Sequence, residues 1–165
     1  MTHTRCLDVR DFAVPADDRY FEDYRVGDVH HYGTVVMAED DIIDFARRFD
    51  PQAMHTDVEA AAKGFSQGLI ASGMHTASLC VRLLVDHYLS RVATLPSPAI
   101  TDLRFSVAVR PGDELSLRTE TTQARLSRSD PGRGVVTTVA SMLNQDADIV
   151  AEMVFVHLFR RRALP

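Results

Sequence analysis

The sequence predicts an α+β domain in which a curled antiparallel sheet wraps around one long central helix. Three features carry this prediction. The segment from Met74 to Leu89 has apolar residues nearly all the way round a helical cylinder, the pattern changes to period-two alternation beyond Pro98, and no second helix is apolar enough to cover the first.

The chain has 165 residues, 45% of them hydrophobic and 25% charged, with only 8 Gly and 7 Pro, which is the composition of one ordinary globular domain. At this length folding buries roughly 70% of the surface of the unfolded chain, enough for stability without disulfides or a structural metal. Residues 1–19 read as a loosely ordered arm, 20–160 as the single domain and 161–165 as a tail. A net charge of -5 disfavours a nucleic-acid partner. Cys6 and Cys80 form no disulfide framework and no metal spacing, which fits the reducing cytoplasm. No stretch is long and apolar enough for a membrane span or, between Met1 and Asp18, for a signal-peptide core. No internal repeat is present.

Gly27-Asp28 reads as a turn into a strand from about His31 to Met37. The acidic run Glu39, Asp40, Asp41 suits a helix N-terminus, and Ile42, Phe45, Ala46 and Phe49 follow at i, i+3, i+4 and i+7 as one apolar stripe. Pro51 lacks an amide hydrogen and biases Asp50 away from helical angles, so the helix stops there. A short helix from about Asp57 to Lys63 ends at Gly64, and the central helix follows from Met74. After a loop at Pro96 to Pro98, Leu103, Phe105 and Val107 alternate. The turn Arg110-Pro111-Gly112-Asp113 then leads into the strand of Leu115, Leu117, Thr119 and Thr121. Two more strands run from about Val135 to Leu143 and from Ile149 to Phe159, joined by the polar connection Asn144 to Asp148.

One buried helix followed by antiparallel strands is the hotdog arrangement. The last strand has Ala151, Met153 and Phe155 on one face and Val150, Val154 and Val156 on the other, so both faces call for a cover. A second copy of the chain is the expected cover, giving a homodimer or a higher assembly built from it; a monomer whose small helices cover the outer face is the alternative.

The chemistry concentrates in Arg48-Phe49-Asp50-Pro51-Gln52-Ala53-Met54-His55-Thr56-Asp57. On a continuous helix, residues five apart diverge by about 140°, and fully extended they stand roughly 16 Å apart. The turn at Pro51 allows Asp50 and His55 to converge, and a carboxylate beside an imidazole is suited to activating a water and moving its proton. The structural alternative is that Asp50 only ends its helix and His55 only bonds a backbone group. A second element, Gly68-Leu69-Ile70-Ala71-Ser72-Gly73-Met74, enters the central helix. Ser72 suits an N-cap, and Gly73 allows an acyl group to approach free amide hydrogens at the positive end of the helix dipole. A capping serine and a close-packing glycine explain the same residues without a ligand.

Together these elements resemble the MaoC-like, or (R)-specific enoyl-CoA hydratase, family of hotdog proteins. That family places an Asp five residues before a His after its first helix, opens the central helix with Gly-Met, and shows an aromatic residue ahead of Gly-Asp before a strand. Asp50, His55, Thr56-Asp57, Ile70-Ala71-Ser72-Gly73-Met74 and Phe105 to Leu115 match that order. The resemblance spans about Tyr20 to Phe159. It implies reversible addition of water to a trans-2-enoyl-CoA, giving a 3-hydroxyacyl-CoA, as in fatty acid metabolism. Asp50 is then the general base, His55 the partner that holds the water and delivers a proton to the α-carbon, and Gly73 the N–H donor to the thioester oxygen. Gln52, Ser72, Met74 and His75 are the substrate-binding candidates. No metal or redox cofactor is implied, since CoA enters with the substrate. The chain departs from the family with Gln52 for the usual Asn, Ala53 for Pro with a proline moved to Pro51, Ser72 for the His often found there, and Val81 where some hydratases place a serine.

His30, His31, His87 and His157 show no ligand spacing, and Ser78 lies in no nucleophile elbow. Arg104, Arg110, Arg125, Arg128 and Arg133 are candidates for CoA phosphate contacts, and Arg160-Arg161-Arg162 reads as a solvated end. The rival enzyme reading is a hotdog acyl-CoA thioesterase, disfavoured because no Asp or Glu lies between Met74 and Val81. The non-enzymatic reading is a catalytically quiet acyl-CoA-binding subunit.

Overall fold

The computed structural model describes residues 12–162. It is a hotdog: a five-stranded antiparallel sheet in the order β1-β3-β4-β5-β2, curled around a helix. The strands are β1 (Val29–Val36), β2 (Thr94–Phe105), β3 (Glu114–Leu126), β4 (Arg133–Leu143) and β5 (Ile149–Arg160). The helices are α1 (Glu39–Phe49), α2 (Ala53–Thr56), α3 (Val58–Lys63) and the central α4 (Gly73–Leu83), which runs on into a π-helical turn at Leu84–Tyr88.

The inner face of the sheet follows from period-two patterning. Leu115 and Leu117 of β3, Val136, Ala140 and Met142 of β4, and Ala151, Met153, Phe155 and Phe159 of β5 are buried against Ala77, Cys80, Leu83 and Leu84. Each fully buried Leu or Met adds about 1.5–3 kcal/mol of transfer free energy. The inner face also buries hydroxyls in matched pairs: Tyr88 Oη lies 3.0 Å from Thr121 Oγ1 and 2.8 Å from Thr138 Oγ1.

Four expectations change. The central helix is not encased all round in the single chain: Met74, Val81 and Val85 are exposed on one stripe. Similarly, Val154 and Val156 on the outer face of β5 are only half-buried. The Pro96 to Pro98 segment is not a loop but part of β2, an edge strand where a missing amide hydrogen is tolerated; the register slips between Leu95 and Ala99 to absorb it. Val107 falls beyond the end of that strand. The short α2 is an element that the sequence pattern did not mark.

Both ends of the domain are also better tied than the arm and tail expected from composition. Arg19 is buried and donates to the carbonyls of His87 at 2.9 Å and Tyr88 at 2.8 Å, closing the C-terminal end of the π turn. The Phe12 ring stacks on His30 at 4.3 Å. Arg161 donates to Glu22, and Arg162 to Asp18 at 2.6 Å and Asp23 at 3.1 Å, so these two arginines clasp the N-terminal segment. Residues 1–11, with Cys6, and 163–165 lie outside the described residues.

Candidate active site

Asp50 is the residue at which α1 stops. Its N–H still donates to the carbonyl of Ala46 at 2.8 Å, but its φ and ψ of -154° and 67° leave the helix, as the following proline requires. The chain then turns into α2, whose one helical turn carries His55 back toward Asp50. The outcome is an approach of 3.5 Å between Asp50 Oδ2 and His55 Nε2. The imidazole is nearly closed to solvent, at 6% side-chain exposure, while the carboxylate keeps 27%, so the pair has one dry and one accessible member.

His55 Nδ1 lies 2.8 Å from the carbonyl oxygen of Ile70. A carbonyl only accepts, so Nδ1 carries a hydrogen and donates it, which leaves Nε2, the nitrogen facing Asp50, as the one that can take up or release a proton. When Nε2 is unprotonated, it and the carboxylate oxygen cannot bond to each other and are placed to share a donor. The helix-ending role of Asp50 and the backbone bond of His55, set out above as the structural alternative, are both present, and they are what aims the pair.

Two further residues hold Asp50. Gln52 Nε2 donates to Oδ1 at 2.7 Å, and Ser72 Oγ donates to Oδ2 at 2.7 Å. The bond from Gln52, then that from Ser72, then the nearby His55, hold the carboxyl below its ordinary pKa against the opposing effect of burial. Ser72 also accepts from the N–H of Met74 at 3.2 Å as the N-cap of α4. One hydroxyl therefore ties the carboxylate to the opening turn of the central helix.

Gly73, the first residue of α4, has no intrahelical acceptor for its N–H. It borders a cavity of about 180 Å³ whose walls include Ala71, Thr76, Phe105, Val109 and Val150. The Phe105 ring lies over Gly73 so closely that an added Cβ would come within 2.7–2.9 Å of three ring carbons. Ala71 is fixed by donation of its N–H to Val109 at 2.8 Å, joining the approach to α4 to the segment after β2.

The other candidates divide. Met74 is exposed at the start of α4 and does not line this cavity. His75 is turned away from it, stacked on Phe45 of α1 at 4.6 Å, with burial pushing its pKa down while Asp41 acts in the opposite sense. Among the arginines, Arg110 donates to the Ser66 carbonyl at 2.8 Å and thus leans on the loop leading to Ile70, whereas Arg104 pairs with Asp102 and Arg133 with Asp130. Phe105 belongs to the matching motif, but the cover its ring gives Gly73 and the Ile70 carbonyl are site features that the sequence did not mark: period-two alternation places an aromatic on a strand without saying what its ring covers, and a backbone acceptor has no residue-type signature. Among the described residues no group of three or more His, Cys, Asp or Glu side chains is placed to hold a metal ion. No helix among them is long and apolar enough to cross a membrane.

Residues 25–142 match the family model described as the MaoC like domain. YdeM of Bacillus subtilis, a protein described as uncharacterized, is 31% identical over 124 residues, covering 75% of this chain and 86% of that protein. The MaoC-like dehydratase from Rhodospirillum rubrum superposes with a TM-score of 0.82 at 34% identity, over 88% of this chain and 99% of that one. The (R)-hydratase PhaJ1 from Pseudomonas aeruginosa superposes with a TM-score of 0.71 at 25% identity, over 88% of this chain and 93% of that one.

Proposed function

Since this chain belongs to the MaoC-like domain family, we propose that it catalyses the reversible addition of water to a trans-2-enoyl-CoA, giving a 3-hydroxyacyl-CoA. The observation that carries the reading is the 3.5 Å approach of Asp50 Oδ2 and His55 Nε2 beside the residue that caps α4. A water placed between them gives one hydrogen to each, which leaves its oxygen lone pairs free for the β-carbon of the substrate.

As that oxygen attacks, the Asp50 carboxylate draws off a proton. Its lowered pKa makes it a poor place for the proton to rest, so the proton passes to His55 Nε2 and from there to the α-carbon. The hydroxyl ends on the β-carbon and the hydrogen on the α-carbon of the same face, and both residues return to their starting states. Charge developing on the thioester oxygen is met by the Gly73 N–H and the positive end of α4. Every step uses side chains and one amide, so the reading calls for no metal and no redox cofactor.

The working unit we propose is a homodimer. The exposed stripe Met74, Val81 and Val85 on α4, next to the free edge of β2 with Ile100 and Phe105, is apolar surface that a second copy would cover. The proposed compartment is the reducing cytoplasm, where the buried thiol of Cys80, its pKa pushed up to about 12 by burial, stays protonated and unreactive.

Crotonyl-CoA tests the reaction. Loss of the enoyl absorbance without release of free thiol is the expected result, and it disappears in Asp50→Asn. Release of free CoA would move the assignment to a thioesterase, and the absence of turnover with any enoyl thioester would move it to an acyl-CoA-binding subunit.

A further inference from the structure

A second cavity, of about 360 Å³, lies further along α4, between its C-terminal half (Val81, Leu84) and the edge formed by Pro98 and Ile100 of β2 and Phe155 of β5. Its lining is apolar except for Ser97 and His157, which are bonded to each other. His157 is 1% exposed, its Nδ1 lies 3.0 Å from Ser97 Oγ, and its Nε2 has no hydrogen-bond partner among the described residues. The ring is held flat against Phe155, with centroids 5.3 Å apart and planes at 7°, so it is not free to turn toward another acceptor or donor. A buried ring nitrogen without a partner is destabilising, a reason for such an atom to be rare unless something completes it.

We infer that His157, held by Ser97, is a recognition point for a neutral oxygen on the far part of the acyl group, a hydroxyl or keto group carried by an otherwise apolar chain. This rests on the enoyl-CoA reading, because Val81 stands eight residues beyond Gly73, roughly 12 Å along the helix, the direction and distance of a medium-length acyl chain whose thioester sits at Gly73. The chemistry of the cavity selects the class. Burial holds the imidazole neutral, with its pKa lowered to about 4, and no cationic side chain lines the space. A carboxylate would lose its hydration there without a countercharge, whereas a neutral oxygen loses less and gains the one bond on offer. The remaining walls give an unsubstituted chain only apolar contact.

Saturated thioesters test this independently of turnover. Calorimetric titration of the intact protein with ω-hydroxyoctanoyl-CoA, octanoyl-CoA and ω-carboxyoctanoyl-CoA is expected to rank the hydroxylated thioester first, about tenfold tighter than octanoyl-CoA. His157→Phe, similar in size and apolar, is expected to erase that difference while still binding octanoyl-CoA. Ser97→Ala lies on an exposed edge strand, leaves the ring unheld, and is expected to reduce the preference severalfold, which keeps the test open should the His157 variant fail to fold. Equal affinities in the wild type, a preference that survives both variants, or a carboxylated thioester binding tightest would overturn the inference. Absence of crotonyl-CoA hydration would instead count against the proposed reaction, and the binding ranking would still decide the role of His157.

Discussion

Asp50 Oδ2 accepts a hydrogen bond from Ser72 Oγ at 2.7 Å and stands 3.5 Å from His55 Nε2, so the residue that ends α1 is joined both to α2 and to the cap of α4. Removing its charge while keeping its shape isolates its role. Asp50→Asn and His55→Ala are each expected to lower kcat for crotonyl-CoA hydration by at least about 100-fold, the usual size of general acid–base assistance. Circular dichroism and gel filtration are expected to match the wild type. A variant that keeps more than a tenth of the activity would remove that residue from the proton path.

Ser72→Ala takes a donor from Asp50 and the cap from α4. The cap is worth about 1 kcal/mol of stability. The pH dependence carries the sharper signal. Asp50 acts as a carboxylate, and its bonds from Gln52 and Ser72 hold its pKa below the ordinary 3.8, so wild-type activity survives into acid. Without the Ser72 bond the pKa rises, and the acid limb of kcat/KM against pH shifts to higher pH. Ser72→Thr keeps the hydroxyl and is expected to restore the limb; an unmoved limb in the alanine variant would show that Ser72 only caps the helix.

Much of this site was legible in the sequence because proline chemistry is local. Pro51 forces the exit from α1 whatever the rest of the fold does, and Ser72-Gly73 announces a helix start through its own side chain. The contribution of Gln52 was not legible, since a bond to Asp50 depends on rotamers that spacing does not set. The reach of α4 was overstated because an apolar residue reads the same whether the sheet or a second copy covers it, as Val81 and Val85 show. Arg19 was placed in a loose arm because its partners, the carbonyls of His87 and Tyr88, lie 68 and 69 residues away and leave no trace in composition.

Gly73→Ala is expected to be damaging through one neighbour. Its Cβ would press on the Phe105 ring at 2.7–2.9 Å, an overpacking that costs roughly 1–3 kcal/mol and pushes the ring into the cavity beside the Gly73 amide. Phe105→Leu alone is expected to be mild, because Phe105 is 47% exposed, and the double variant is expected to recover most of the lost stability. Thermal melts of the four proteins form the cycle; additive effects would mean that the ring is not what the new methyl group meets.

Arg19→Met keeps the length of the side chain and removes its donors. The carbonyls of His87 and Tyr88 lose the bonds that end the π turn, an expected cost of about 2–3 kcal/mol in urea unfolding. Hydrogen exchange is expected to rise first at Leu89, whose N–H donates to the Leu84 carbonyl at 2.8 Å and closes that turn. Unchanged exchange there would show that Arg19 stabilises the N-terminal segment alone.

His157 makes stability depend on pH in a set window. Burial lowers its pKa from 6.5 to about 4, so as pH falls through 6.5 the unfolded chain takes up a proton that the folded protein does not accept until about pH 4. The unfolded state binds more protons across that interval, hence stability falls with decreasing pH from about 6.5 to about 4 and this contribution is fully present only above 6.5. The whole step is on the order of 3 kcal/mol. Urea unfolding of the wild type and His157→Phe at pH values above, inside and below the window reads it directly. The variant is expected to lose less stability across the interval, while His31 and His75, also lowered by burial, leave a smaller slope in both proteins. Parallel profiles for the two would mean that solvent reaches the His157 ring in the native state, and that the imidazole titrates there much as it does in the unfolded chain.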